Sequence, residues 1–353
     1  MNREWPLSGR RPRVAVVNPA HWHFPMYRPG IEATGAEFVG FYEDQRELVS
    51  PLESSLAAPC YGSIDDLCES ARPDFVFAFG EHARLPTLAG QLIDHHMPFS
   101  LEKPGGVDRI SVTTLRQRAE SSELFVSVPF HYRLSDMAAT LDALAPGDHA
   151  GIRSMRFDVQ ARTPLQHSAS SPWLVDPERA GGGAAMNLGH HPIDFVLSRM
   201  GHELESVEAR MSSDCLGLAV EDDACIRLDF SHGRHCDVRV GYNQPVDNAA
   251  YMGFAFELEH ESFLARLSGD RLWVEDDRGA RAFHLPAQWT FKRHFADYAR
   301  TTLARYLCQA PPVASLADLE RTMWVLEAAY LSAQRGQRHD VTSFPMLHVS
   351  SLT

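Results

Sequence analysis

From Arg13 to Val128, short apolar runs alternate with helix-patterned segments, and no other feature of the chain limits its fold as strongly. Strands are expected at Arg13–Val17, Glu37–Tyr42, Asp74–Phe79, Phe99–Glu102 and Leu124–Val128. Each is the compact apolar run that a strand buried on both faces needs. Helical patterns fill the gaps: one ends at Gly35, one covers Leu85–His95, and one runs from about Asp108 to Glu120. Ser63, with Asp66 three residues on, marks another helix start. Alternation at this pitch implies an α/β, doubly wound parallel sheet over residues 1–134. Ligands of such sheets bind beyond the carboxyl ends of the strands. The tips to inspect are therefore Asn18–His23, Glu43–Asp44, Gly80–His82, Glu102–Pro104 and Phe130–Arg133.

After a break near Pro146-Gly147 the texture changes. Ser154–Ala161, Ser206–Ser212, Ala224–Phe230, His235–Tyr242, Phe254–Glu259 and Phe263–Leu267 have strand character, with turns at Gly233 and Gly269-Asp270. Helices are expected at Trp289–Leu307 and Leu316–Gln334. Residues 135–353 thus read as an α+β domain with a large, mainly antiparallel open sheet. One face of that sheet is free to serve as a subunit contact.

The 353 residues suffice for two domains, and 44% hydrophobic with 22% charged residues is an ordinary soluble composition. A net charge of -13 argues against a nucleic-acid partner. No run is long enough to span a bilayer, and MNREWPLSGRRPR lacks the apolar core of a signal peptide. The six cysteines form no CxxC pair and read as reduced thiols, so a cytoplasmic enzyme is expected.

The first strand tip reads VVNPAHWHF, with no glycine between Gly9 and Gly30. A dinucleotide fingerprint needs glycines there for a tight turn and for close approach of pyrophosphate. Asn18 can adopt some glycine conformations and Ala20 is small, whereas Pro19 and Trp22 are harder to reconcile with a cradle. His21 or His23 could add a donor to an anion at the helix start. As a metal motif this HxH lacks a local third ligand, and no metal is expected. Glu43 ends the second strand, where a carboxylate can accept ribose hydroxyls and favour NAD over NADP; Arg46 nearby keeps NADP open.

Lys103 sits at a strand end between Glu102 and the φ-restricted Pro104, suited to stabilising charge on an alcohol or carbonyl oxygen. The stretch GGGAAMNLGHHPID (181–194) is the second chemical feature. Asn187, His191 and Asp194, spaced by four and three, share one face of a helical turn. Pro192 implies that the regular helix starts near it or that its first turn is distorted. His131, Tyr132, Arg133, Gln160, Arg162 and Trp173 could also reach a crevice between the halves.

Taken in order, these pieces resemble the glucose–fructose oxidoreductase/inositol dehydrogenase/MocA-like (Gfo/Idh/MocA) dehydrogenases over nearly the whole chain. The resemblance rests on Glu102-Lys103-Pro104, Gly80-Glu81-His82, FHYR at Phe130–Arg133, the run from Trp173 through 194, and Ala328–Ala333 with Gly336. It implies an N-terminal Rossmann domain, a C-terminal sheet used for homodimers or homotetramers, and nicotinamide-dependent redox chemistry on a sugar, cyclitol or polyol. Lys103 and His191 fall on the family's catalytic positions, with Asn187 where many members have aspartate. The cofactor would meet Asn18, Ala20, His21, Trp22, His23, Glu43, Gly80, Glu81, His82, Glu102, Lys103 and Pro104. The substrate would meet His131, Tyr132, Arg133, Arg162, Trp173, Asn187, His190 and Asp194. Glu81 stands where asparagine is usual, and the glycine fingerprint is replaced. Two further readings accompany this one: a redox-neutral isomerase or lyase with tightly held NAD, and a non-catalytic relative that binds dinucleotide or sugar.

Overall fold

A computed structural model describes residues 10–167, 171–201, 203–243, 252–285 and 291–341. The lead-in up to Gly9 and the expected helix start at Trp289 lie outside the described residues.

The first sheet comprises β1 (Arg13–Val17), β2 (Glu37–Tyr42), β3 (Phe75–Ala78), β4 (Phe99–Leu101) and β5 (Val126–Ser127), all parallel, in the order β2-β1-β3-β4-β5. Val14 to Val17 and Phe75 to Ala78 are buried, as the apolar runs required. The strand order reverses between β1 and β3, so their tips flank the crevice of a doubly wound sheet. Helices α1 (Phe24–Glu32), α2 (Val49–Leu56), the single turn α3 (Ile64–Asp66), α4 (Leu85–Asp94) and α5 (Arg109–Ser121) cover it, and α6 (Asp136–Leu144) leads out. Ser63 caps α3 through Asp66 N and Asp108 caps α5 through Ser111 N, as their residue types allow.

The second sheet has nine strands: β6 (Ile152–Ala161), β7 (Leu204–Ser212), β8 (Asp223–Phe230), β9 (His235–Gly241), β10 (Met252–His260), β11 (Phe263–Ser268), β12 (Arg271–Asp276), β13 (Gly279–His284) and β14 (His339–Asp340). Their order is β13-β12-β11-β10-β6-β9-β8-β7-β14. All neighbours are antiparallel except β6 and β9 at the centre, which pair parallel. The expected strands are present; β12, β13, β14 and the parallel pair were not foreseen. Along β6, Met155, Phe157, Val159 and Ala161 are buried on the helix-covered face, with α9 (His190–Met200) packed against β6 and β9. The other face carries Arg156, Asp158, Arg227, Asp237 and Arg239 around an open hollow of about 810 Å³.

The glycine run is shaped by packing within the chain. Gly181 (φ 76°) ends the short helix α7 (Pro177–Ala180). A Cβ at Gly183 would stand 1.9 Å from Glu221 O, and one at Gly182 (φ 153°) 2.0 Å from Tyr330 Oη. Glu221 accepts from Gly183 N (2.8 Å), Ala185 N (3.0 Å) and Tyr330 Oη (2.7 Å), which fixes the start of α8 (Ala184–Leu188). Gly189 keeps helical angles (φ −66°, ψ −25°), donates to Ala185 O (2.9 Å) and accepts from Ile193 N (3.1 Å), so α8 runs on into α9 with its hydrogen-bond ladder interrupted around Pro192. Asn187 and His191 thus stand one helical turn apart, as their spacing implies.

Helix α10 (Phe291–Leu307) returns to the first sheet, and α11 (Leu316–Arg335) packs between α5, α9 and β7. Tyr298 of α10 bonds Ser100 Oγ (2.8 Å) and Ser127 Oγ (3.0 Å) under β4 and β5. A Cβ on Gly30 would lie 1.9 Å from Ala296 O, so α1 and α10 meet at their backbones. Gly30→Ala should force them apart and lower stability by about 1–3 kcal/mol, read as an earlier urea midpoint.

Candidate functional site

A cavity of about 30 Å³ lies between the two sheets, lined by Trp22, His23 and Lys103 from the first domain and by Arg162, Asn187, His191 and Tyr242 from the second. That volume holds about one water molecule. Lys103 follows β4 and is buried; its Nζ donates to Asn187 O (2.7 Å) and Asn187 Oδ1 (2.9 Å). Burial draws its pKa down to about 8, against the opposing pull of Glu102. Asn187 is itself held by its Nδ2, which donates to Tyr242 Oη (3.1 Å) at the end of β9.

His191 is buried, and its Nδ1 makes no hydrogen bond within the described residues. Burial, with the neighbouring His131 and Lys103, holds its pKa well below the ordinary histidine value, so the ring is neutral near pH 7. His131 (ring centroids 4.3 Å apart) and Tyr132 (5.3 Å) pack behind it. His190 points elsewhere, its Nδ1 3.2 Å from Thr322 Oγ1. These three back the cavity wall without lining it.

Glu102 accepts from Tyr27 Oη at 2.8 Å, and its Oε2 stands 3.3 Å from His23 Nδ1. Burial pushes this carboxyl up, but His23, Lys103 and Tyr27 outweigh it and leave its pKa below the usual value. Pro104 beyond it is buried.

A second, outer cavity of about 290 Å³ opens at the tips of β1, β2 and β3, lined among others by Asn18, His21, Glu43, Asp44, Gly80, Glu81, Trp173 and Arg179. Asn18 takes the glycine-like conformation its residue type permits (φ 56°). It staples the three tips: Nδ2 donates to Asp44 Oδ2 (3.0 Å) and Phe79 O (3.2 Å), and Oδ1 accepts from Asp44 N (3.0 Å). Glu43 accepts from Ala20 N (2.9 Å) and Gln45 N (3.0 Å). Glu81 is engaged by Arg179 through two bonds (2.8 and 2.6 Å). Rings separate the two cavities: His21 stacks on Trp22 at 3.9 Å, Trp22 meets Trp173 at 5.7 Å, and His82 meets Trp173 at 4.7 Å.

Two expected substrate contacts are engaged elsewhere. Arg133 binds Asp194 through Nε (2.8 Å) and Nη2 (2.5 Å) and reaches Asp318 at 3.0 Å, tying α9 to α11. Neither residue lines the inner or the outer cavity, because each is taken up by this ion pair. Burial pushes the Asp194 carboxyl up to about 7 against the pull of Arg133. Sequence reasoning missed Tyr242, although it ends an expected strand, and Tyr27, one helical turn after His23. Among the described residues no group of three or more side chains could hold a metal, and no helix is long and apolar enough to cross a membrane. Arg133→Ala would strand a buried carboxylate and should cost about 3–5 kcal/mol, read as a lowered Tm at neutral pH.

Residues 141–259 match the family model of the GFO/IDH/MocA C-terminal domain. No curated protein matches the chain by sequence. Among solved structures, an oxidoreductase from Agrobacterium radiobacter in complex with NAD+, L-tartaric acid and magnesium is 18% identical, with a TM-score of 0.82 over 94% of this chain and 98% of its own. Levoglucosan dehydrogenase in complex with NADH and levoglucosan is 16% identical (TM-score 0.80; 94% and 100% covered). The aldose-aldose oxidoreductase from Caulobacter crescentus complexed with glycerol is 14% identical (TM-score 0.78; 94% and 100% covered). At these identities the likeness is one of fold. The match within the second domain is thus to a GFO/IDH/MocA C-terminal domain, and the chain as a whole has the two-domain fold of these solved structures.

Proposed function

We propose that the chain is an oxidoreductase moving a hydride between a nicotinamide cofactor and an alcohol carbon of a sugar, cyclitol or related polyol. The observation that carries this reading is the single cavity into which the first domain sends Lys103 and the second sends Asn187 and His191. The solved neighbours bound to NAD+ or NADH support the cofactor class.

The side chains present suit the two ends of such a cofactor, and the inner cavity of about 30 Å³ has to open to take the ring. The outer cavity lies beyond β1 and β3 and carries Glu43 and Asp44, whose carboxylates can accept ribose hydroxyls. Asp44 is paired with Arg84 (2.9 Å), so Glu43 is the carboxylate that favours NAD over NADP, because a 2′-phosphate would meet like charge there. At the other end, Lys103 and His191 supply the polar groups of the reacting centre. The nicotinamide, when bound, supplies the hydride acceptor.

The chain's own part is proton and charge management. His191, neutral through burial, takes the hydroxyl proton as general base. The Lys103 ammonium stabilises the developing oxyanion, held in place by both oxygens of Asn187. Arg162 and Trp22 on the cavity wall position the substrate and exclude water. In this reading the charged outer face of the second sheet joins copies into a homodimer or homotetramer, and the enzyme is cytoplasmic.

Lys103→Ala should lower kcat/KM for polyol oxidation by about a hundred- to a thousandfold; unchanged turnover of an identified substrate would remove the assignment. Lys103 is cationic below about 8 and loses its proton above. His191 titrates well below the ordinary histidine value. The pH profile of kcat/KM for oxidation should therefore be level from about pH 6 to 7 and fall as the pH rises through about 8.

A further inference from the structure

The partition between the two cavities is built of imidazoles. His21 lines the outer cavity and His23 the inner one, with ring centroids 5.1 Å apart. His82 closes against Trp173 from the β3 tip. A dinucleotide spanning both cavities would have to carry its diphosphate through this wall. Of the five backbone amides that this turn could offer a phosphate, all but Trp22 N are already used. Ala20 N donates to Glu43, His21 N to Asn18 O (3.1 Å), His23 N to His21 Nδ1 (3.2 Å) and Phe24 N to His21 O (3.0 Å).

The hydrogen bonds also assign the ring protons. His82 Nδ1 lies 2.8 Å from Ala180 O, and a carbonyl only accepts, so Nδ1 carries the proton and Nε2 is bare in the neutral ring. His23 Nδ1 stands 3.3 Å from Glu102 Oε2 without a hydrogen bond, so no proton is assigned on that ring. His21 Nδ1 accepts from His23 N, so its proton sits on Nε2. His82 can thus offer an N–H to an anion only by taking up a proton.

We propose that this chain holds the diphosphate of a dinucleotide with the side chains of His21, His23 and His82 beside Lys103, in place of backbone amides, and that binding takes up protons. The proposal rests on the cofactor reading above and deepens it. The charged and titratable groups facing the three rings are one another, Lys103 and Glu102, with His131 and His191 beside His23, His190 beside His82, and Glu43 on Ala20 N of the same turn. Burial first, then mutual repulsion and Lys103, hold His21 well below its ordinary value and His82 at about 3. A phosphate's charge reverses that balance and strengthens each bond by making it charge-assisted. Trp22 and Trp173 must part to admit the ligand.

The test is calorimetric titration of the full chain with NAD+, and separately with inorganic pyrophosphate, in PIPES and in Bis-Tris between about pH 6 and 7. Lys103 is already protonated in that range, so uptake there does not come from it. The apparent enthalpy should differ between buffers, and Kd should fall with falling pH, approaching tenfold per unit for each proton bound. His82→Asn should reduce the uptake, and His21→Asn should weaken binding with the uptake kept; uptake unchanged in His82→Asn would assign it to Glu43 and overturn the proposal. NAD+ bound with equal enthalpies and a pH-independent Kd would overturn it while leaving the cofactor reading intact. Pyrophosphate bound with uptake and NAD+ not bound would keep the imidazole site and remove the nicotinamide. Binding of neither ligand would remove both.

Discussion

A buried ammonium must be met by oxygen atoms, and both domains are arranged around how Lys103 meets that demand. Its Nζ is satisfied from across the domain boundary, by the carbonyl and the side-chain oxygen of Asn187. Asn187 can serve only because α8 begins where Glu221 and Tyr330 pin the glycine run, and because Tyr242 holds its amide from β9. The same contact carries cation, amide and the neutral His191 into one small cavity. Packing between distant segments of the chain thus sets the site's geometry.

The first domain supports that contact from behind. Glu102 is kept charged by Tyr27 and His23 on the opening turn of α1, and α1 is pressed into place by α10 through the bare backbone at Gly30. The turn before α1 keeps a glycine-like shape without a glycine, since Asn18 takes a positive φ and ties three strand tips together. The room a glycine fingerprint would leave is filled here by His21, Trp22 and Trp173. The crevice retains its place in the fold while its lining has become aromatic and titratable.

Much of this could be read before any coordinates. Apolar runs at Arg13–Val17 and Asp74–Phe79 predict buried parallel strands because a strand covered on both faces has no polar side to show. Lys103 and His191 were legible as candidates for one crevice because a lysine at a strand end and a histidine after a glycine run carry local signals, and both line the inner cavity. Asp194 and Arg133 carried the same kind of signal and went elsewhere. Helical spacing says which side chains share a face, but the approach of Arg133 and of α11 decided that these two would pair with each other. Tyr242 and Tyr27 had no local mark, since each matters only for the group it reaches from a distant part of the chain.

Sequence alone determined the two-domain architecture, the crevice tips and the chemistry on offer, because strand burial, residue type and local backbone preference are written in short windows. Tertiary structure alone decided three things: the parallel pairing of β6 with β9, the return of α10 to the first sheet, and the capture of Glu43 by Ala20 N and of Glu81 by Arg179. Each depends on which segments far apart in the chain come to lie side by side. That choice is made by the free energy of packing whole elements together, and no short window contains it.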